Sequence, residues 1–163
     1  MLAIRIEHIK KFMSALLLRE TFDTFLLSEA SITTFAEFHI DGKLHKEYFD
    51  SGTADALSEE ARSLVRWKDV KEHCFALIKG KRTPLSFRII FQLPADRTEK
   101  LILSSGSPIA PEDVYGLFLN VQFRNNTLTL TTGTSLRTFT PDKTPELTWD
   151  KYMTDFLAHF DLD

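Results

Sequence analysis

The pair Asn125-Asn126, set between two stretches of strict alternation, constrains this chain more than any other feature. A two-residue loop of type I′ needs positive φ at both positions, and Asn tolerates that better than most residues. Such a loop pairs Arg124 with Thr127, Phe123 with Leu128 and Val121 with Leu130. One face of the hairpin then carries Leu117, Leu119, Val121, Phe123, Leu128 and Leu130. The other carries Phe118, Asn120, Gln122, Arg124, Thr127, Thr129 and Thr131. Turn chemistry and alternation, read separately, agree on one register. Gly133 interrupts the second strand, and Leu136 to Thr140 read as a short third one. Pro141 and Pro145 exclude a strand interior beyond that. A helix follows from Trp149 to Phe160, with Thr148 as N-cap and Asp150 in the positive first turn. Its stripe of Trp149, Tyr152, Met153, Phe156, Leu157 and Phe160 should cover the apolar sheet face. Burying each such side chain contributes about 1.5–3 kcal/mol before entropy.

The remaining chain has the same two periodicities. Leu2, Ile4 and Ile6 alternate as a first strand, and Ile9, Phe12, Met13, Leu16 and Leu17 mark a helix. Ser28 to Ile40 is strand chemistry, with Asp41-Gly42 read as the turn into a partner strand from Lys43 to Phe49. An odd loop with Gly42 in a G1 bulge places Ala36, Phe38, Ile40, Leu44 and Tyr48 on one face. Asp50 to Glu60 reads as a surface loop. Trp67, Val70, Cys74, Leu77 and Ile78 form the inner stripe of the next helix. Lys79, Gly80, Lys81 and Arg82 close it, with cations at its negative pole. Thr83-Pro84 opens a strand in which Leu85, Phe87, Ile89, Phe91 and Leu93 face inward and Pro94 ends the run. Ala95 to Leu103 reads as a short helix, although Leu101 to Leu103 also suit a strand; Ser104 to Asp113 is a loop.

These elements give an α+β fold: an antiparallel or mixed sheet built from a duplicated βαββ pattern, with helices packed on one face. The expected organisation is a single domain spanning 1–163, with halves near 1–50 and 84–140, a linking helix near 67–80 and the final helix near 149–160. Sliding-clamp domains and TATA-box-binding folds share related element orders, a likeness of topology that carries no function. With 163 residues the chain is long enough for a substantial core, and many of its 14 Phe fall on apolar faces. A net charge of −3 and a pI near 6.0 give no general basic footprint for nucleic acid. One cysteine excludes an internal disulfide, and neither a signal-peptide core nor a membrane-length apolar run is present, so the expectation is a cytoplasmic protein without a membrane span.

The segments Phe25-Leu26-Leu27-Ser28-Glu29-Ala30, Ile78-Lys79-Gly80-Lys81 with Thr83-Pro84, and Gly133-Thr134-Ser135 resemble a family of uncharacterised clostridial (Firmicutes) proteins. The resemblance implies a bacterial cytoplasmic protein and transfers no catalytic residue.

Three clusters are candidate sites. In the expected first hairpin, Glu37, His39, His45 and Glu47 share a face, and two imidazoles with two carboxylates suit Zn²⁺ or a similar metal. The same pattern also describes a solvated face with cross-strand Glu–His attraction. Lys79, Lys81 and Arg82, with Arg88 nearby in sequence, suit a phosphate or an acidic partner; dipole compensation at a helix end explains the first three equally. Phe118, the one aromatic on the polar face of the second hairpin, marks a contact with another layer or subunit, or is a lone exposed aromatic of the ordinary kind. Zinc-protease, nucleophile-elbow, dinucleotide and paired-cysteine signatures are all missing from the sequence. The leading expectation is therefore a non-catalytic binding or assembly module with a protein partner or a second copy, and no firmly implied cofactor. A small metal-dependent enzyme and a clamp-like nucleic-acid accessory protein are the alternatives.

Overall fold

The computed structural model describes residues 1–59 and 62–163. In chain order these form β1 (Ala3–Ile6), α1 (Ile9–Leu17), β2 (Leu26–Thr33), β3 (Glu37–Ile40), a 3-10 turn (Lys46–Tyr48), α2 (Ser51–Glu59), α3 (Trp67–Ile78), β4 (Ser86–Gln92), α4 (Ala95–Ser104), a second 3-10 turn (Pro111–Asp113), β5 (Val114–Arg124), β6 (Thr127–Leu136) and α5 (Thr144–His159). The strands make one six-stranded sheet in the order β1-β6-β5-β4-β2-β3, with every pairing antiparallel.

The central hairpin folds as its turn dictates. Asn125 and Asn126 take φ of 51° and 56°, and Arg124, Phe123 and Val121 face Thr127, Leu128 and Leu130. The alternation of β5 and β6 extends across the sheet, so Ile6, Leu130, Val121, Ile89 and Ala30 share one buried face. α1, α3 and α5 lay Phe12, Leu16, Trp67, Cys74, Trp149, Met153 and Leu157 into the same core. Both indoles are fully buried with their polar atom engaged. Trp67 Nε1 donates to the Leu16 carbonyl of α1 and Trp149 Nε1 to the Phe118 carbonyl of β5, each at 2.8 Å. Phe91 stacks on Phe22 at 5.6 Å and meets Trp67 edge-on at 5.0 Å, aromatic contacts that add about 0.5–1.5 kcal/mol each to burial.

The opposite face is open and polar, as an antiparallel sheet permits. One row of directly paired residues crosses all six strands: Arg5, Thr129, Gln122, Arg88, Ser31 and His39. Arg5, Arg88 and Arg124 share this face with Glu29 and Glu37, so it carries both signs of charge.

Five local expectations are corrected. Lys43 to Phe49 does not return along β3. The partner of β3 is β2, joined through Thr34–Ala36, and Gly42 instead bends the chain out of the sheet with φ of +68°. A Cβ at Gly42 would sit 2.1 Å from the Leu27 carbonyl oxygen, so glycine serves a close crossing over β2 and not a bulge. The loop expected from Asp50 to Glu60 is a helix over Ser51–Glu59, and Glu60 lies outside the described residues; the Asp50 carboxylate accepts the Thr53 N–H at 2.7 Å and caps α2. β6 runs through Gly133, which pairs with Phe118, and no third strand follows; the chain leaves the sheet after Arg137 donates its N–H to the Asp113 carbonyl at 2.7 Å. α5 begins at Thr144, because Pro145 sits in the first turn, where its missing N–H has no helical partner to lose. Leu85 lies 71% exposed beyond the end of β4. The strand–helix–strand–strand order does occur twice, yet the pairing does not repeat: β4 lies beside β5, while β1 and β2 are separated by three strands.

A candidate anion-binding cleft

A concavity lies beside the segment that Gly42 leads into. Past Gly42 the chain runs beside Ser63–Val65, with Val65 N–H donating to the Gly42 carbonyl at 2.8 Å and Leu44 N–H to the Ser63 carbonyl at 2.9 Å. That segment in turn lies along the start of β2: Leu27 N–H donates to the Val65 carbonyl and Trp67 N–H to the Phe25 carbonyl, both at 2.9 Å. Two backbone ladders therefore fix Arg62, Arg66 and Lys68 beside the N-terminal end of β2. The first turn of α4 closes the other side. Pro94 carries no side-chain cap for it, and Ala95, Asp96 and Arg97 line the space. The cleft encloses about 650 Å³, within the range of small-ligand sites.

Four cations and two carboxylates face this cleft: Arg62, Arg66, Lys68 and Arg97 against Asp23 and Asp96. Asp23 is already bound to Lys71 at 2.6 Å, in a pair whose side chains are only 17% and 18% exposed. Arg62 and Arg66 each have an engagement of their own. Asp96, in the first turn of α4, is the remaining carboxylate, and Lys68 and Arg97 together outweigh it by one charge. The Arg97 guanidinium is half-buried and held by neutral groups alone: Nη1 donates to Thr24 Oγ1 at 3.0 Å, Nη2 donates to the Tyr152 hydroxyl, and the ring of Tyr152 lies 5.8 Å from its centre. No carboxylate pairs with it among the described residues. Two of its five N–H donors are spent, which leaves a fork suited to a carboxylate or phosphate. The uncapped N-terminal amides of α4 add the positive end of a helix dipole on the same side.

The candidates read from sequence fall elsewhere. His39 sits exposed on β3 opposite Ser31, with its Nδ1 3.2 Å from Ser31 Oγ, and Glu37 opens the same strand. His45 and Glu47 are off the sheet at the 3-10 turn, where His45 Nδ1 lies 3.5 Å from Glu47 Oε1 and Nε2 lies 3.9 Å from Asp41 Oδ2. A backbone hydrogen bond, and then His45, hold the Glu47 carboxyl below its ordinary range. Among the described residues no group of three or more His, Cys, Asp or Glu side chains is arranged to hold a metal. Lys79, Lys81 and Arg82 cluster at the end of α3, whereas Arg88 points from the open sheet face between Ser31 and Gln122. Phe118 is half-buried. Its ring folds back over Gly116, where a Cβ would meet it at 2.7 Å, with Tyr115 6.3 Å away. Burial pushes the Cys74 thiol up to about 12, which suits a packing residue and not a nucleophile.

The cleft has no sequence motif of its own. Arg62, Arg66 and Lys68 bracket Trp67 as a local cationic group, which was the available signal; Arg97 had none, because its partner Tyr152 lies 55 positions away.

A family model described as a family of unknown function (DUF5721) matches residues 15–163, and the chain belongs to that family. No curated protein and no solved structure matches it. No helix among the described residues is long and apolar enough to cross a membrane.

Proposed function

We propose that this family member is a non-catalytic binding module of the bacterial cytoplasm whose cleft between β2 and α4 takes an anionic ligand. What carries the reading is Arg97: a half-buried guanidinium hydrogen-bonded, among the described residues, to hydroxyls only, in a cleft where Asp23 is already neutralised by Lys71. An anion there accepts from the unspent donors of Arg97, from Lys68 and from the α4 amides, charge-assisted bonds about twice as strong as neutral ones. The strand-face metal enzyme lacks comparable support, since His45 and Glu47 sit off the sheet that carries Glu37 and His39.

The test is calorimetric titration of the protein with inorganic phosphate, pyrophosphate and citrate at low and high salt. Binding of at least one of them is expected, weakening with salt and falling about tenfold or more in Arg97→Gln, as loss of a charge-assisted hydrogen-bond pair predicts. Absence of heat with all three at millimolar concentration, or equal binding by Arg97→Gln and the parent, overturns the proposal.

A further inference from the structure

We infer that a second surface, the groove between the β2–β3 hairpin tip and the end of α3, docks an acidic amphipathic segment of a partner protein. The hairpin loop is three residues long, Thr34–Ala36, and is closed by Thr34 N–H donating to the Ala36 carbonyl at 2.9 Å. Its tip presents Phe35 at 94% exposure, with the ring set edge-on against Phe38 at 5.8 Å. Leu85, 71% exposed, is tied alongside by its N–H to the Thr33 carbonyl, and half-buried Leu77 of α3 forms the facing wall. The enclosed volume is about 470 Å³.

The groove arises because β3 lies at the sheet edge. Phe38 and Ile40, next along this edge strand, point to the core side yet remain half exposed, so apolar surface continues from Phe35 beside the groove. Large apolar side chains left together at an edge mark an interaction site more often than solitary ones do.

Charge selects the occupant. Lys81 and Arg82 line the groove and Lys79 adjoins it; all three are exposed and none pairs with a carboxylate among the described residues. The chain as a whole carries −3, so the local sign is opposite to the global one. An apolar floor with a cationic rim on one side matches a helix that presents apolar anchors at i, i+3, i+4 and i+7 flanked by Asp or Glu. A bilayer would contact a convex tip, whereas this surface is concave.

A display library of amphipathic helical peptides, panned against the full chain, tests the inference. The expected winners carry two or more acidic residues flanking apolar anchors, and each binds about tenfold or more weakly to Phe35→Ser/Leu85→Ser and to Lys81→Glu/Arg82→Glu. These positions are exposed, so circular dichroism and melting should match the parent. The inference is overturned by winners without acidic character or by winners that bind both variants as well as the parent. It is likewise overturned by concentration-dependent self-association lost in Phe35→Ser/Leu85→Ser, which would assign the groove to a second copy. Binding to phosphatidylcholine vesicles with 30% phosphatidylserine in place of any peptide would also overturn it. Because the groove and the α4 cleft are separate, phosphate binding retained in the groove variants distinguishes failure of one proposal from failure of the other.

Discussion

Replacing Gly42 by Ala should destabilise the protein through two separable effects, and the molecule contains the control for each. The first is conformational. Gly42 holds φ of +68°, a region that costs an L-residue about 1–2 kcal/mol. Gly106 holds φ of +74° with nothing within 4 Å of its Cβ position, so Gly106→Ala isolates that cost. The second is steric. The new methyl at Gly42 would stand 2.1 Å from the Leu27 carbonyl oxygen and 2.8 Å from that of Ser28, both rigid backbone atoms. The crossing must open by more than an ångström, on the order of the gap to ordinary van der Waals contact. That displaces the hydrogen bonds Val65 N–H to Gly42 O and Leu27 N–H to Val65 O, each worth about 1 kcal/mol net. The expected loss is then roughly 3–4 kcal/mol for Gly42→Ala against about 1–2 for Gly106→Ala. For a chain of this size that corresponds to a fall in melting temperature of roughly 6–16 °C. Urea unfolding followed by tryptophan fluorescence reads both variants, since Trp67 directly follows the displaced segment. Equal stability of the two variants would refute the steric half of the argument, and a Gly42→Ala protein as stable as the parent would refute all of it.

Two further outcomes follow from buried or capping polar groups. Thr132 is 3% exposed, and its hydroxyl joins the Leu2 N–H at 2.8 Å to the Asp150 carboxylate at 2.5 Å. Thr132→Val should cost about 1–3 kcal/mol by leaving the Leu2 N–H and one Asp150 oxygen without that partner, with amide exchange at Leu2 as the local readout. The Asp50 carboxyl is held below its ordinary 3.8 by hydrogen bonding to Thr53, so its capping is fully present above that value and is lost as the pH falls through the lowered one. Amide exchange in α2 should therefore gain protection as Asp50 ionises, and Asp50→Ala should abolish the dependence.

The β5–β6 hairpin was legible because its information is local: both turn residues and both flanking alternations lie within one stretch of chain. Gly42 was not, since an Asp-Gly pair suits a bulged turn and a close crossing equally well. What separates them is the carbonyl of Leu27, fifteen positions earlier in the chain and visible only in three dimensions. The α2 segment has the sequence of a loop for a different reason. A helix whose one buried residue among those described is Leu57 leaves no apolar stripe, and its signature reduces to a single capping bond from Thr53 to Asp50. The candidate cleft shares the difficulty of Gly42. Its cations come from two segments that meet only because the 62–66 stretch is laid along β2, so composition shows the charges and not their convergence. The metal candidate failed to assemble as expected because it depended on a strand partner for β3 that Gly42 turns away.

The position of β1 has a consequence for how the molecule is made. Ala3 pairs with Thr131, 128 positions further on, so β1 is synthesised well before the strand it pairs with. At about 5–20 residues per second of translation, β1 waits roughly 6–25 s for β6 to emerge. Until then the backbone of β1 has no strand to pair with. A pairing so remote in sequence carries a large loop-closure cost and slows folding. The same arrangement makes β1 a latch: its docking along β6 completes the sheet only after the β5–β6 hairpin exists to receive it.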